Sequence, residues 1–485
     1  MTVSLSDTTH ELAESEVLAF GASLRGDLVK PNDPDYGRVR SIWNGMIDRR
    51  PALIARCRGV ADVITAVNFG RSHDLLVSVR GGGHNVSGNA LCEGGLMIDM
   101  SLMASVHVDL QRGIVRAEAG TLLGELDRET QAFGLAVPAG TVSETGIAGL
   151  TLGGGLGWLM RKHGLTCDNL IGVDIVTADG EFLQANDDTN PELMWGIRGG
   201  GGNFGIVTSF EYQAVPVGPT VLAGTVLHPI ERAREFFEFY SYYTKNVPDE
   251  LTTIGTIRTM SPVPSVPIEL RGVRVVGTAV CYSGDIEEGE KVVQPLRQFG
   301  TPLLDSIGPT SFVEHQAIFD QGVPAGRHYY EKSEYLSDLS PDLVSVLVEH
   351  AVTVTSPYAF IGLFQLGGAI GRIGEQDTAY THRDASYSLI ISAAWDNAHE
   401  TDQHIEWART FWKAAKPFST GGAYINFMSA DDGQDRVIAA YGPDKYQRLV
   451  RLKNTYDPNN LFRLNQNIKP TVSTADSVTA SWSGD

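Results

Sequence analysis

The pattern of hydrophobic and polar positions divides the 485-residue chain into two regions. From about residue 36 to residue 215, short apolar runs alternate with helical stretches, which indicates mixed helix-and-strand architecture. The apolar run at 75–79 predicts a buried strand that leads directly into the glycine run at 81–83. Just before it, a surface helix is predicted by four apolar residues at helical spacing: Val60, Val63, Ile64 and Val67.

Further elements of this first region follow from the same patterns. Asn190 and Pro191 form a cap and first-turn pair, which predicts the start of a helix through residue 197. A glycine turn and a strand come after that helix. The remaining predictions are strands at 96–100, 113–120, 170–181 and 206–212, and a helix within 121–134.

The pattern changes between about residues 220 and 420, which contain long runs of alternating apolar and polar residues. Such runs predict antiparallel strands with one covered face, and they indicate a second part of the molecule. Near the C-terminus a further helix is stopped by Asp457-Pro458. The small, polar residues 471–485 are predicted to be disordered. Strands are predicted at 272–282, 358–371 and 387–395, with an amphipathic helix at 405–415.

Composition and charge narrow the choice of partners. The formal net charge is −20, and nucleic acids and anionic membranes are bound through basic patches, so neither is expected as a partner. No run of about 18 apolar residues is present, and the first residues lack the regions of a secretory signal, so we expect a cytoplasmic protein. The 4 cysteines are too far apart for a metal knuckle, and no metal site is predicted.

Three glycine clusters carry the strongest chemical signal. They lie at 81–83, 149–157 and 199–205, each beside a predicted strand, and Arg80 and His84 flank the first. Glycine lets the backbone approach a ligand closely, and successive N–H groups in a turn bind anions. Each cluster alone is compatible with an ordinary tight turn. Three together, one flanked by an arginine and a histidine, favour a phosphate-bearing cofactor.

The third cluster contains the GxGxxG spacing of dinucleotide sites, at Gly200, Gly202 and Gly205. In nicotinamide-binding folds that motif follows a strand and opens a helix. Here a helix precedes the motif and a strand follows it. The order of elements therefore argues against a nicotinamide-dependent reductase.

These stretches resemble one family of flavoproteins, the vanillyl-alcohol oxidase and p-cresol methylhydroxylase superfamily, in its berberine-bridge-enzyme-like branch. The resemblance extends from about Asp35 to Pro470. It implies an α+β fold, with a two-part FAD-binding domain of the p-cresol methylhydroxylase type and a substrate domain whose antiparallel sheet is covered by helices. The stretches that carry it are RGGGH at 80–84, PAG at 138–140, the run at 146–170, GGGGNFGIVTSFEY at 199–212, the Tyr-x-Asn segment at 424–426, and YDPNNLFRLNQNIKP at 456–470.

The resemblance also implies domain bounds and cofactor contacts. The FAD-binding domain is expected at 36–215, the substrate domain at 216–422, and a segment that returns to the FAD-binding domain at 423–470. FAD is expected to be joined covalently to His84. The other cofactor-binding residues that the resemblance implies are Arg80, Gly81, Gly82, Gly83, Asn85, Gly140, Thr141, Val142, Thr145, Gly146, Gly149, Gly153, Gly154, Gly155, Gly157, Trp158, Asn169, Gly202, Asn203, Gly205, Ile206, Val207, Tyr424, Asn426, Asn465 and Asn467.

Two positions depart from the family pattern. Bicovalent members carry a second FAD-linking cysteine shortly after the PAG-like turn, where this chain has Val142. A single link through His84 is therefore expected. Many relatives have a histidine where this chain has Leu150, so the group that faces the N1–C2=O region of the flavin is not assigned by the sequence.

Four residues are candidates for the substrate side of the site. Tyr424 is the candidate general base or hydrogen-bond partner of the substrate, although a core tyrosine would show the same pattern. Gln365, in a predicted strand, and His382, in a loop, are candidates for lining the pocket. Tyr387 shares strand parity with Leu389 and the apolar residues that follow, which is also typical of core packing.

We therefore expect an FAD-dependent oxidase that takes hydride from a C–H next to oxygen or nitrogen of a small organic substrate and reduces dioxygen to hydrogen peroxide. Two alternatives stay open at this point. One is a flavin-dependent dehydrogenase with another electron acceptor, and the other is a catalytically inactive ligand-binding relative. Neither the substrate nor the oligomeric state follows from the sequence.

Overall fold

A computed structural model of the chain describes residues 2–5, 8–264 and 266–471. Apart from residue 471, the tail that was expected to be disordered lies outside these residues. Within them, no helix is both long enough and apolar enough to cross a membrane.

The first part of the chain, up to residue 216, forms two main sheets connected by short helices. Its strands are β1 (Thr2–Leu5), β2 (Thr8–Glu11), β3 (Asp27–Val29), β4 (Leu53–Arg56), β5 (Val77–Arg80), β6 (Leu96–Asp99), β7 (Val106–Asp109), β8 (Ile114–Glu118), β9 (Leu135–Ala136), β10 (Leu170–Val176), β11 (Phe182–Asn186), β12 (Ile206–Gln213) and β13 (Val215–Pro216). Its helices are α1 (Glu14–Ser23), α2 (Tyr36–Arg40), α3 (Val60–Ser72), α4 (Leu123–Gln131), α5 (Ile147–Leu152), α6 (Met160–His163) and α7 (Pro191–Ile197).

The first sheet has the strand order β3-β4-β6-β5. Strands β4 and β5 run parallel to β6, and β3 runs antiparallel to β4. Helix α3 contacts β6, with Val63 and Val67 completely buried and Val60 and Ile64 packed against the same core. The predicted apolar stripe thus faces the protein interior. Strand β5 ends at Arg80, so the glycine run begins at the end of this sheet.

The second sheet, β11-β10-β12-β8-β7, is antiparallel throughout. The prediction of one strand over 170–181 is wrong. Strand β10 ends at Val176, Gly180 adopts φ 79° in a tight turn, and β11 pairs back onto β10. Helix α7, a glycine turn and β12 follow one another in the predicted order.

The second part of the chain is organised by one large antiparallel sheet, in the order β17-β14-β16-β15-β20-β21-β19, with β18 also paired to β14. Its strands are β14 (Thr220–Pro229), β15 (Leu251–Thr259), β16 (Arg274–Tyr282), β17 (Leu304–Asp305), β18 (Gly308–Ser311), β19 (His328–Leu336), β20 (Phe360–Gln365) and β21 (Tyr387–Trp395). Its helices are α8 (Ala233–Thr244), α9 (Ile286–Gln298), α10 (Phe312–Gln316), α11 (Pro341–Val352), α12 (Ala369–Arg372) and α13 (Thr401–Ala415).

The strand predicted over 358–371 is shorter than expected. Strand β20 ends at Gln365 because Gly367 and Gly368 adopt φ 83° and 58° and turn the chain into the short helix α12. Strands β16 and β21 match their predicted positions, and helix α13 contains the predicted amphipathic segment.

The two faces of the large sheet have different neighbours, because successive residues of a strand point to opposite sides. Leu363 and Leu389 belong to a core shared with the apolar residues of α8, α11 and α13. Phe364 and Ile390, one position further along, belong to a separate cluster on the opposite side. That second side faces the first part of the chain.

The C-terminal segment carries the last two helices, α14 (Gln434–Tyr441) and α15 (Pro443–Tyr456). It packs on the first part of the chain, since Leu449 and Ile468 lie in the core of that part. The buried Lys453 Nζ pairs with Asp457 at 2.6 Å and donates to the carbonyl of Asn203 at 2.9 Å. The α+β architecture expected from the sequence is confirmed.

Candidate active site

A cavity of about 370 Å³ lies between the first part of the chain and the large sheet. On one side it is lined by backbone of the glycine clusters, which we call the glycine wall: residues 81–83, 146, 149 and 153. Opposite is the sheet wall, formed by the cavity-facing residues of β15, β19, β20 and β21. Residues 424–427 and 464–466 of the C-terminal segment complete the lining.

At most of its positions, though not at Gly149, the glycine wall has no room for a side chain. A methyl group added at Gly82 would lie 2.5 Å from the backbone nitrogen of Gly146, and one added at Gly81 would lie 2.9 Å from the carbonyl oxygen of Ala119. Gly83 adopts φ 72°, which side chains of L-residues disfavour. The chain thus presents bare backbone to the cavity, as close approach to a flat or phosphate-bearing ligand requires.

His84 follows directly and lines the same cavity. Its ring stacks on Trp43 with 4.2 Å between centroids, and Trp43 stacks in turn on Tyr329 at 3.7 Å. Nε2 of His84 is shielded from solvent and has no hydrogen-bond partner within the described ranges. Burial lowers the pKa of His84 to about 4. The imidazole is therefore neutral at physiological pH and held in a fixed orientation.

Tyr424 occupies the edge where the glycine wall meets the sheet wall. Its phenolic oxygen accepts hydrogen bonds from the N–H groups of Gly155 at 3.0 Å and Leu156 at 3.4 Å, and from Asn426 Nδ2 at 2.8 Å. Three donors on one oxygen favour the phenolate, whereas burial favours the phenol. Burial is the larger effect and raises the pKa of Tyr424 to about 12.

Most of the residues implied by the resemblance come together around this cavity. The lining contains His84, Gly81, Gly82, Gly83, Asn85, Gly140, Thr141, Val142, Thr145, Gly146, Gly149, Gly153, Gly202, Gly205, Ile206, Val207, Tyr424, Asn426 and Asn465. These residues derive from segments up to 384 positions apart in sequence, counted from Gly81 to Asn465.

Other predicted cofactor residues lie behind the lining and support it. The guanidinium of Arg80 donates to the carbonyl of Val39 and lies 3.9 Å from Asp99. Asn169 Nδ2 donates to two carbonyls of its own loop, and Trp158 packs on His315 at 4.3 Å between ring centroids. Arg80, Trp158 and Asn169 are thus structural supports of the loops rather than parts of the cavity surface.

Five more predicted residues lie at the border of the site. Gly155 contributes its N–H to Tyr424, while Gly157 has no space for a side chain because a methyl group would meet the carbonyl of Ala139. Asn203 Oδ1 accepts from the N–H of Ile468 at 3.0 Å and so fastens the C-terminal segment. Gly154 adopts φ 120° next to the ring of Tyr380. Asn467 Oδ1 is buried without a partner in the described part of the chain.

Three predicted substrate-side residues are not brought into the cavity. Gln365 and Tyr387 are paired across β20 and β21 on the helix-covered face, where Tyr387 hydrogen-bonds Thr244 and Gln365 Nε2 donates to the carbonyl of Thr244 at 2.8 Å. His382 lies behind Gly422 and contacts the carbonyl of Ala439 through Nε2 at 3.2 Å. Strand parity explains the first two, because Phe360, Gly362 and Phe364 of β20 face the cavity and Gln365 therefore faces the opposite side.

Several residues that line the cavity were not predicted from the sequence. Thr256 and Arg258 of β15, Phe364 of β20, Ile390 of β21 and Glu331 of β19 all line the sheet wall. Phe364 and Ile390 lie in predicted strands, where the period indicated two faces without indicating which one borders the cavity, and no strand was predicted at the positions of β15 and β19. A charged residue within a strand of this sheet, as at Arg258 and Glu331, is the signal that could have found two of them.

The two departures from the family pattern also line the cavity. Val142 and Leu150 both border it and offer no thiol or imidazole. The four cysteines are all within the described ranges, all free and buried, and none is part of the lining.

The residues present fit a flavin dinucleotide. The glycine wall leaves space for a flat ring system and exposes backbone beside it, and His84 Nε2 and Asn465 Oδ1 are buried polar atoms without partners in the described ranges. The cavity thus indicates a protein of the flavoprotein class.

Comparison with known proteins agrees with this class. Residues 51–186 match the family described as FAD binding domain, and residues 423–469 match the family described as berberine and berberine like. The chain belongs to the FAD-linked oxidoreductases of the berberine-bridge-enzyme-like branch of the vanillyl-alcohol oxidase and p-cresol methylhydroxylase superfamily.

Individual relatives cover nearly the whole chain. An FAD-linked oxidoreductase of Dictyostelium discoideum is 32% identical, over 93% of this chain and 96% of its own. (R)-6-hydroxynicotine oxidase of Paenarthrobacter nicotinovorans is 31% identical, over 94% and 99%. The crystal structure of 6-hydroxy-D-nicotine oxidase from Arthrobacter nicotinovorans superposes with a TM-score of 0.84 at 28% identity, covering 95% of this chain and all of that one. The protein is an FAD-dependent oxidoreductase.

Proposed function

We propose that this protein is an FAD-dependent oxidase with its cofactor attached covalently through His84. In this function a C–H next to oxygen or nitrogen of a small organic substrate is oxidised. When bound, FAD supplies the hydride acceptor at N5 and returns the electrons to dioxygen. The substrate loses one hydride and one proton, and dioxygen gains two electrons and two protons as hydrogen peroxide. Relatives named for the oxidation of hydroxynicotine, an amine, support this type of reaction.

The observation that carries the proposal is that His84 and Tyr424 line one cavity. Covalent attachment needs a neutral imidazole, and burial lowers the pKa of His84 to about 4. Stacking on Trp43 holds the ring against rotation. Because Val142 borders the cavity in place of a cysteine, we propose a single link.

Tyr424 is the proposed base for the substrate O–H or N–H. Its phenolate would be stabilised by three N–H donors, from Gly155, Leu156 and Asn426. Loss of the substrate proton to this oxygen leaves the lone pair that drives hydride departure from the neighbouring carbon. Asn426 is thus a positioning residue that also donates to the carbonyl of Leu150 at 3.2 Å.

The proposal is tested by acid precipitation of the purified, FAD-supplied protein. Yellow colour that stays in the pellet of the wild type and moves to the supernatant in His84→Ala supports covalent attachment at this residue. His107→Ala, an exposed histidine of the same part of the chain, is the matched control and should keep its colour in the pellet. Colour in the wild-type supernatant refutes the covalent link, and no colour at all refutes the flavoenzyme.

A peroxide assay tests the oxidase step separately. Substrates that bleach the flavin under nitrogen should release hydrogen peroxide in air. Bleaching without peroxide, relieved by an artificial electron acceptor, would identify a dehydrogenase instead.

A further inference from the structure

Two opposite charges lie in a single cross-strand row of the sheet wall. Arg258 of β15 is opposite Phe360 of β20, Phe360 is opposite Ser392 of β21, and Ser392 is opposite Glu331 of β19. Arg258, Phe360 and Glu331 all line the cavity. Because residues in register on adjacent strands share a face, the row presents a cation, an aromatic ring, a hydroxyl and an acid in that order.

Among the described residues, no carboxylate forms an ion pair with the cation of this row, Arg258. Nε of Arg258 is shielded from solvent without a hydrogen-bond partner in the described part of the chain. Burial, with no neighbouring carboxylate, is what lowers the pKa of Arg258, and arginine still stays charged. Its guanidinium lies 5.9 Å from the centroid of the Phe319 ring, a contact that leaves the fork of N–H donors unused.

The acid of the row, Glu331, likewise has no ion-pair partner among the described residues. Glu331 is 7% exposed, and its carboxylate accepts a hydrogen bond from Ser392 Oγ at 3.2 Å. The next residue, Lys332, points to the opposite face, where Asp431 and Asp432 hold its ammonium at 2.9 and 2.8 Å. Among the described residues no cation offsets the burial of the Glu331 carboxyl, and burial raises its pKa to about 7.

Such an arrangement is costly unless a ligand completes it. Burial of an unpaired charge destabilises a fold, and buried charges in proteins are usually paired. Three strand spacings of about 4.8 Å separate the backbones of Arg258 and Glu331 by roughly 14 Å. Phe360 lies between them on the cavity surface, so a molecule that spans the row would contact Arg258, Phe360 and Glu331.

We propose that the substrate is a small amphoteric molecule, whose anionic oxygen group, such as a carboxylate, binds Arg258 and whose basic amine binds Glu331, with an apolar or aromatic body over Phe360. This inference rests on the proposed flavin-dependent oxidation and names its substrate class. Arg258 offers two parallel N–H donors, which match a carboxylate. Glu331 offers the acceptor that an ammonium requires. Both are specificity-determining residues, and neither takes part in the redox step.

Calorimetric titration of the purified full chain with four matched probes tests the proposal. The probes are para-aminomethylbenzoate with both charges, para-toluate with the anion only, benzylamine with the cation only, and benzyl alcohol with neither. We expect para-aminomethylbenzoate to bind at least roughly tenfold more tightly than either singly charged probe, and benzyl alcohol to bind most weakly. Equal affinities for the four, or no binding at millimolar concentrations, would overturn the proposal.

Variants assign the two charges separately. Arg258→Gln should weaken the binding of para-aminomethylbenzoate and para-toluate by at least roughly tenfold and leave the affinity for benzylamine unchanged. Glu331→Gln should weaken the binding of para-aminomethylbenzoate and benzylamine by a similar factor and leave the affinity for para-toluate unchanged. Arg274→Gln is the matched control, since Arg274 lies on the adjacent strand β16 and donates to the carbonyl of Val352. Unchanged affinities in both Arg258→Gln and Glu331→Gln would contradict the assignment.

The same titrations distinguish this inference from the proposed function. Visible absorbance of each sample reports bound flavin independently of probe affinity. If Arg258→Gln loses flavin, the arginine serves the cofactor and the substrate assignment is overturned. If the wild type holds no flavin but still ranks the probes by charge, the oxidase proposal fails while the amphoteric site stands.

Discussion

The glycine wall and the sheet wall enclose one cavity but are made of different groups. At Gly82 and Gly146 the backbone of the glycine wall packs directly on backbone. A methyl group added at Gly82 would lie 2.5 Å from the nitrogen of Gly146, and one added at Gly146 would lie 2.4 Å from the nitrogen of Gly82. The sheet wall consists of side chains, such as Phe364 and Ile390, that stand on a continuous ladder of backbone hydrogen bonds. Substitution on the sheet wall leaves that ladder intact, whereas substitution at Gly82 or Gly146 displaces the main chain.

This difference separates the two tasks of the site. A wall of backbone offers one fixed shape, which suits a cofactor that never changes. A wall of strand side chains can be altered residue by residue without altering the fold, which suits the recognition of a substrate. Relatives of this chain named for nicotine derivatives and for chitooligosaccharides share the fold, consistent with such a division.

The largest effect on this difference between the walls is expected from a substitution at Gly82. Gly82→Ala places a methyl group 2.5 Å from Gly146, so the wall must open and flavin content per protein should fall by at least roughly tenfold. The visible absorbance of protein purified with added FAD measures this. Gly59→Ala is the control, because a methyl group there meets no atom within 4 Å and the backbone is extended. Full flavin content in Gly82→Ala would show that the wall is not tight.

Tyr424, at the junction of the walls, should carry the next largest effect. Tyr424→Phe is expected to keep its flavin but to lose roughly 10²- to 10⁴-fold in the rate of flavin reduction, since the base is absent. Stopped-flow reduction under nitrogen is the measurement. Tyr335→Phe removes a neighbouring buried hydroxyl that bonds Tyr380 at 2.8 Å and should leave the rate unchanged. A rate in Tyr424→Phe equal to that of the wild type would remove this residue from the mechanism.

The pH dependence sharpens the same assignment. The pKa of Tyr424 is about 12, and the phenolate is the active form, so the reduction rate should rise with pH by about tenfold per unit through the neutral and mildly alkaline range. Asn426→Leu removes a donor that lowers this pKa, so its profile should shift to higher pH. A flat profile in the wild type would assign proton transfer to another group.

A pair of adjacent residues on β20 compares the two faces of the sheet directly. Phe364→Ala enlarges the cavity and should lower kcat/KM by roughly 10- to 100-fold with unchanged flavin content. Gln365→Ala faces the helices, where it breaks hydrogen bonds with Thr253 at 2.7 Å and Thr244 at 2.8 Å. It should lower the free energy of unfolding by about 1–3 kcal/mol and leave kcat/KM unchanged. Lower activity in Gln365→Ala, with unchanged activity in Phe364→Ala, would mean that Gln365 and not Phe364 faces the cavity.

The smallest effect concerns the stability cost of a charge on the sheet wall. Burial raises the pKa of Glu331 to about 7, above its unfolded value. The folded state therefore holds more protons than the unfolded state between these two pKa values, and this carboxyl lowers stability as pH rises through that range. Glu331→Gln should be more stable than the wild type by roughly 1 to 3 kcal/mol at pH 8 and nearly equal near pH 4. Urea unfolding at both pH values is the test, and an equal difference at both would exclude titration of Glu331 as its cause.

The glycine wall was largely predictable because its signals are local. His84 and the three glycines before it form one short motif, and the cavity contains Gly81, Gly82, Gly83 and His84 together. Strand ends were less predictable: one predicted strand became β10 and β11 because Gly180 turns the chain within an otherwise continuous pattern. Local backbone preference at a single glycine prevailed over hydrophobic periodicity there.

The sheet wall could not be predicted to the same depth. Alternation in β20 and β21 gives two sets of residues, and both sets are buried. One set packs against helices, and the other packs against the first part of the chain around the cavity. Gln365 and Tyr387 belong to the first set, whereas Phe364 belongs to the second. Because polarity does not differ between two buried faces, periodicity had no means to distinguish them.

By itself, the sequence determined the α+β class and the glycine-rich motif whose backbone lines the cavity. These properties depend on neighbouring residues, through the φ values that glycine allows and the spacing of apolar side chains along a helix or strand. Only the tertiary structure decided that Tyr424 meets the N–H groups of Gly155 and Leu156, and that Arg258 and Glu331 share one row. Such contacts join residues far apart in the chain, and their geometry exists only once strand register and the packing of the two parts are fixed.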